Sequence, residues 1–169
     1  MKKVLFVLMM VASLFSASAY AQSGNWEFNY FKDQFGDTDY SKPFLSNNNV
    51  RGQYYHLYIR FFFDSYDVPV LVFDLYENSD YSFCEVWGPT KLSIKKTSTG
   101  VIKNFTADRT EGGDMIFFGD NAINVAQLLN EGYYKLSLNV EKYNQRKTYV
   151  FSATNQTMGL ADALRKWGK

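Results

Sequence analysis

QYYHLYIRFFFDSYDVPVLVFDLY, residues 53–76, decides the fold. Its first half alternates. Tyr55, Leu57, Ile59, Phe61 and Phe63 share one face of an extended chain, and Tyr54, His56, Tyr58, Arg60 and Phe62 share the other. The first set is apolar throughout and belongs in a core. Asp64-Ser65-Tyr66-Asp67 reads as a turn, with Pro69 just beyond. From Val70 to Tyr76 the apolar run is nearly continuous, the pattern of a central strand covered on both faces.

The same logic extends outward. Glu77-Asn78-Ser79-Asp80 is a turn, and Tyr81 to Trp87 is a partner strand closed by Gly88-Pro89. Lys91 to Lys95 and Val101 to Thr106 form a polar hairpin around the turn at Thr97 to Gly100. Its lysines suit a sheet edge. Asp108 to Asp114 reads as a loop and Met115 to Phe118 as a short strand. The period then changes: Asp120 can cap a helix in which Ile123, Ala126, Leu128 and Leu129 recur, and Gly132 stops it. Tyr134 to Val140 and Lys147 to Ser152 alternate as a hairpin. A terminal helix carries Leu160, Leu164 and Trp167 on one stripe, with Thr157 or Asn155 as its cap. Upstream, Trp26 to Phe31 alternates as a first strand. Gly36 to Asn49, with Pro43 and three Asn, reads as a long loop with at most a short peripheral strand at Phe44-Leu45. The expected fold is mainly β: an antiparallel sandwich of about eight strands with one mid-chain helix and one C-terminal amphipathic helix.

Lys2 and Lys3 precede an apolar run from Val4, and Ala19-Tyr20-Ala21 precedes Gln22. This is the pattern of a cleaved export signal, residues 1–21, followed by a single domain, residues 22–169. The expected location is periplasmic or secreted. Removing residues 1–21 leaves 148, enough for a core without cross-links. It also leaves 16 Lys and Arg against 17 Asp and Glu, so neither nucleic acid nor an acidic membrane is implied as a partner. No second apolar segment is long enough to span a bilayer as a helix. Cys84 is the one cysteine and reads as a small apolar residue within a strand.

The chemistry-bearing residues are sparse. His56 is the one histidine, no Gly-x-Ser-x-Gly elbow accompanies it, and no spacing of His56 with Cys84 suits zinc. No catalytic residue, metal or cofactor is implied. Asp74 and Glu85, each inside an apolar strand, are the pair that a carboxylate-dependent glycoside hydrolase would need. Asp37, Asp39, Asp108 and Asp114 lie in loops, where calcium would find them, but without the EF-hand spacing. Aromatic residues make up 18% of the chain, more than a core obviously requires. Tyr54, Tyr58, Arg60 and Phe62, on the second face of the strongest strand, are the candidate ligand-binding strip. Tyr and Arg are the residues that interfaces favour, and flat rings stack on sugars.

The segment VPVLVFDLYENSDYSF, from Val68, and the helix–strand–turn–strand–helix order from Ala122 to Trp167 resemble the exported β-sandwich accessory proteins of bacterial type VI secretion. The helix Ile123 to Leu129 and the Gly-Leu-x-x-Ala-Leu start at Gly159 to Leu164 carry the resemblance, which spans residues 68–167. It implies a sandwich fold and a non-enzymatic module. The expected function is thus an exported module that binds an envelope protein or glycan. The alternatives are the hydrolase and a small outer-membrane β-barrel, suggested by the aromatic alternation.

Overall fold

A computed structural model of the chain describes residues 26–52, 54–77, 82–83, 88–111, 114–132, 134–142, 145–153 and 156–168. Residues 1–21, expected as an export signal, lie outside the described residues with Cys84, Glu85 and most of the strand expected at Tyr81 to Trp87.

The chain forms two antiparallel sheets. The larger contains β1 (Glu27–Lys32), β2 (Thr38–Arg51), β3 (Tyr55–Phe63), β4 (Pro69–Glu77), β5 (Ser82–Phe83), β8 (Arg109–Glu111) and β9 (Asp114–Phe118). Its order is β1-β2-β3-β4-β9-β8, with β5 paired to β4. The smaller sheet, in the order β11-β10-β6-β7, contains β6 (Lys91–Lys96), β7 (Ile102–Thr106), β10 (Tyr134–Lys142) and β11 (Gln145–Ala153). Helix α1 (Gly119–Glu131) follows β9, and α2 (Leu160–Trp167) closes the described chain.

β4 is central, and every residue from Val70 to Leu75 is buried, as its continuous apolar run requires. The core-facing side of β3 is Leu57, Ile59 and Phe61. It packs with Leu71, Phe73 and Leu75 of β4 and with Leu136, Leu138 and Phe151 of the smaller sheet. Fully burying an aliphatic or aromatic side chain of this kind contributes about 2 kcal/mol, so the space between the sheets is the main source of stability. Helix α1 presents Ala122, Val125, Ala126 and Leu129 to this core. These residues follow the i, i+3, i+4, i+7 spacing. Ile123, expected on the stripe, is instead 39% exposed. Asp120 lies in the first turn and Phe118 occupies the N-cap.

Three expectations need correction. The stretch from Gly36 to Asn49 is no long loop, because residues from Thr38 onward form β2, the second strand of the larger sheet. Pro43 is tolerated there because it pairs with Tyr30 of β1, while pairing with β3 begins only at Leu45↔Phe61. At Pro43, β2 therefore has a neighbour on one side only, as the missing N–H demands. Asn47 is buried, but its Nδ2 donates to the Gln156 carbonyl (2.7 Å). The expected loop from Asp108 to Asp114 contains the short edge strand β8. Finally, the strands make two open sheets rather than one closed cylinder, which removes the barrel alternative.

One edge is closed by a side chain. The Tyr55 hydroxyl donates to the Val150 carbonyl (2.9 Å) and accepts from the Val150 N–H (3.1 Å). Both backbone groups of an edge residue in β11 are thus satisfied without another strand. At the opposite edge of the same sheet, β7 carries the exposed Lys103, as expected for the polar hairpin.

Candidate functional site

The larger sheet has a second, outward face, and it is not plainly polar. Val70, Val72 and Ile116 are buried on it beneath Phe62 and Phe118. Arg109 reaches over the Phe118 ring, 5.7 Å from its centre. Beside this apolar cluster lies a shallow concavity of about 370 Å³ lined from β1 to β9. Its walls are Tyr30, Phe31, Phe44, Tyr58 and Tyr76, and Lys32, Arg60, Asp74 and Asp114 supply its charge.

Strand register assembles this floor. Tyr58 lies opposite Asp74, and Asp74 lies opposite Asp114 across β4 and β9. Arg60, two residues along β3, reaches back to both carboxylates. Its Nε donates to Asp74 Oδ2 (3.0 Å), and its Nη2 donates to Asp74 Oδ1 (2.9 Å) and Asp114 Oδ2 (3.1 Å). The paired fork on Asp74 is the strong bidentate arrangement. Asp74 is only 3% exposed. Burial, with Asp114 alongside, pushes its carboxyl up to about 7 against the pull of Arg60. Burial also works against the Arg60 charge, but the two carboxylates outweigh it and hold the guanidinium above its ordinary value.

The aromatic walls are braced in the same way. Phe31 packs on Phe44 (4.5 Å between centres) and edge-on to Phe62 (5.2 Å). His56, buried on this face, stacks on Tyr76 at 4.8 Å and 10°. Burial and the charge of Arg51 lower its pKa, which favours neutral imidazole. His56 is therefore a packed strand residue of the outward face.

Of the four residues expected to bind ligand, Tyr58 and Arg60 belong to the concavity. Phe62 adjoins it through Phe31 and the apolar cluster. Tyr54 lies in the bend before β3, 67% exposed and apart from the concavity. Asp74 is buried beside Arg60 and Asp114, while Glu85, its possible partner in a hydrolase, lies outside the described residues. Sequence reasoning missed Tyr30, Phe31, Phe44, Tyr76 and Asp114 as site residues, because pairing across four ladders brings them in. Alternation with Phe28 and Asn29 already put Tyr30 and Phe31 in a strand, but nothing in the sequence fixed which strand would lie beside them.

The arrangement offers ring faces for stacking and fixed polar groups for hydrogen bonding. It suits hydrolysis poorly. A glycosidase needs its two carboxyl groups to flank a bond or a water, whereas here both accept from one guanidinium nitrogen. Three of the carboxylates considered for calcium, Asp39, Asp108 and Asp114, are engaged by other groups. Asp39 accepts from Ser41 and pairs with Lys42 (3.1 Å), and Asp108 accepts from the Phe118 N–H (2.7 Å) and from Asn121. Among the described residues no group of three His, Cys, Asp or Glu could hold a metal ion.

No family model, no curated protein and no solved structure matches the chain. No described helix is long and apolar enough to cross a membrane.

Proposed function

We propose that the chain is an exported, non-catalytic module that binds a protein or glycan of the cell envelope on the outward face of its larger sheet. Export rests on the Lys2-Lys3, apolar and Ala-Tyr-Ala pattern of residues 1–21. One observation carries the binding reading: five aromatic rings surround a polar floor in which Arg60 holds both Asp74 and Asp114. Such a floor is already held in place by its own hydrogen bonds, so a ligand need not order it on arrival. The rings supply area at low entropic cost, which is why Tyr is favoured at binding surfaces. The resemblance to type VI accessory proteins adds a second reason to expect a module without chemistry of its own.

The experiment is retention of solubilised envelope proteins, and separately of soluble envelope glycans, on immobilised protein. Tyr58→Ala with Phe31→Ala should keep the wild-type circular dichroism and lose at least tenfold of the retained component. Equal retention by the folded double variant would refute the proposed face. Loss of the fold would assign both rings to stability alone.

A further inference from the structure

Two hairpin turns of the larger sheet are built alike. Residues Asp33-Gln34-Phe35-Gly36-Asp37 join β1 to β2, and Asp64-Ser65-Tyr66-Asp67-Val68 join β3 to β4. In the first, Asp33 Oδ1 accepts from the N–H of Phe35 (2.8 Å) and Asp37 (2.9 Å). In the second, Asp64 Oδ1 accepts from the N–H of Tyr66 (2.8 Å) and Val68 (2.9 Å). The backbone bonds match as well, first residue to fifth and fourth to first. The fourth residue of each is left-handed: Gly36 at φ 85° and Asp67 at φ 58°. Asp67 is the one described non-glycine residue in that region, so the second turn keeps this geometry at a conformational cost.

What the two turns share beyond their backbone is an aromatic third residue pointing into solvent. Phe35 is 80% and Tyr66 86% exposed, the two most exposed large apolar side chains among the described residues. Neither contributes to the core. Both turns lie at one end of the sheet, because β1 and β3 run the same way between antiparallel neighbours. The β1–β2 turn stands further out, since the first residues of β2 run past the last pair with β3. Between the base of that hairpin and the second turn is a hollow of about 440 Å³. Phe31, Pro43, Phe62, Phe63 and Trp167 form its apolar lining. Asp64 and Asp67 line it with Lys42, which is paired to Asp39; the β1–β2 turn adds Asp33 and Asp37 at the same end of the sheet, against Lys32 and, in the neighbouring hollow behind Trp167, Lys166.

We propose that this end of the sheet is a docking surface for a basic polypeptide segment that carries an apolar side chain. The hollow takes the apolar residue, Phe35 and Tyr66 close on it from the two turns, and the aspartates face its cations. Charge complementarity selects this occupant. A membrane surface fits less well, because lipid phosphates would meet the carboxylates of Asp33, Asp37, Asp64 and Asp67 at the two turns. The surface adjoins the Tyr58 concavity through Phe31 and Phe62, but it does not depend on ligand binding there.

A bead-displayed library of random heptapeptides tests the proposal, with phosphatidylcholine vesicles as a parallel probe. Retained peptides should be enriched in Lys or Arg together with a large apolar residue, and 0.5 M salt should weaken their retention. Phe35→Ser with Tyr66→Ser, both on exposed tips, should keep the wild-type melting temperature and lose at least tenfold of the retention. Asp37→Lys should also weaken it, whereas Tyr58→Ala should not. Three results would overturn the proposal: no enrichment over the double variant, enrichment of acidic peptides, or tip-dependent binding to vesicles with no peptide retained.

Discussion

Arg60 brings one positive charge into a space shared by two carboxylates, and removing it would leave Asp74 buried without its bidentate partner. Arg60→Met should therefore destabilise the protein by about 3 kcal/mol, the usual scale for breaking a buried pair from one side. Urea unfolding at pH 7 measures this, and a loss below about 1 kcal/mol would show that the pair is better solvated than its geometry indicates. Asp74 also gives stability a pH dependence. Its folded pKa, about 7, lies above its unfolded value. The folded state then holds a proton that the unfolded state has released, so this contribution is complete below about pH 4 and disappears as pH rises through 7. The stability of wild type relative to Asp74→Asn should fall between pH 4 and 7, and a flat difference would contradict the assignment. Alternation within a single strand is enough to place Tyr58 and Arg60 on one face. Asp114 was not legible in that way, because its contact with Arg60 depends on the β4–β9 register, which no local pattern encodes.

At the scale of elements, β3 and β4 were readable because period two and a continuous apolar run each have one physical meaning in a sheet. β2 was hidden by its polar residues, whose needs are met only in the folded chain: Asn47 by the Gln156 carbonyl, Ser46 by Asn29. The cap of the terminal helix was misplaced for a related reason. Thr157 does not cap α2. Its hydroxyl donates to the Leu129 carbonyl (2.7 Å) at the end of α1 and meets the Tyr134 hydroxyl (2.8 Å) at the start of β10. Its own carbonyl accepts from the Trp26 indole (2.8 Å). One buried residue thus ties the end of α1, the start of β10 and the residue just before β1. Thr157→Val keeps the shape and removes the hydroxyl, so it should cost about 1–3 kcal/mol. Combining it with Tyr134→Phe should cost less than the two separate losses added together, because both remove the same bond. Strict additivity in thermal unfolding would show that the two hydroxyls act independently.

Across the whole molecule, one core joins the two sheets and both helices, and a chain with one cysteine can make no disulfide within itself. Unfolding should then be a single transition. Tryptophan fluorescence and far-ultraviolet circular dichroism should share one urea midpoint, whereas separated midpoints would mean that the sheets unfold apart. The sandwich itself was legible, since regular alternation between turns leaves few other ways to bury so many apolar faces. Whether the strands closed into a barrel was not, because closure depends on edges, and the edges here end at β1, β8, β7 and β11. The outward face of the larger sheet is the feature on which the functional account rests. A photo-activatable phenylalanine placed at Tyr58, and for comparison at the exposed Ile102 of the smaller sheet, tests it most directly in the intact envelope. The account predicts a discrete adduct from position 58 and none from position 102. No adduct at 58, or equal adducts at both, would contradict it.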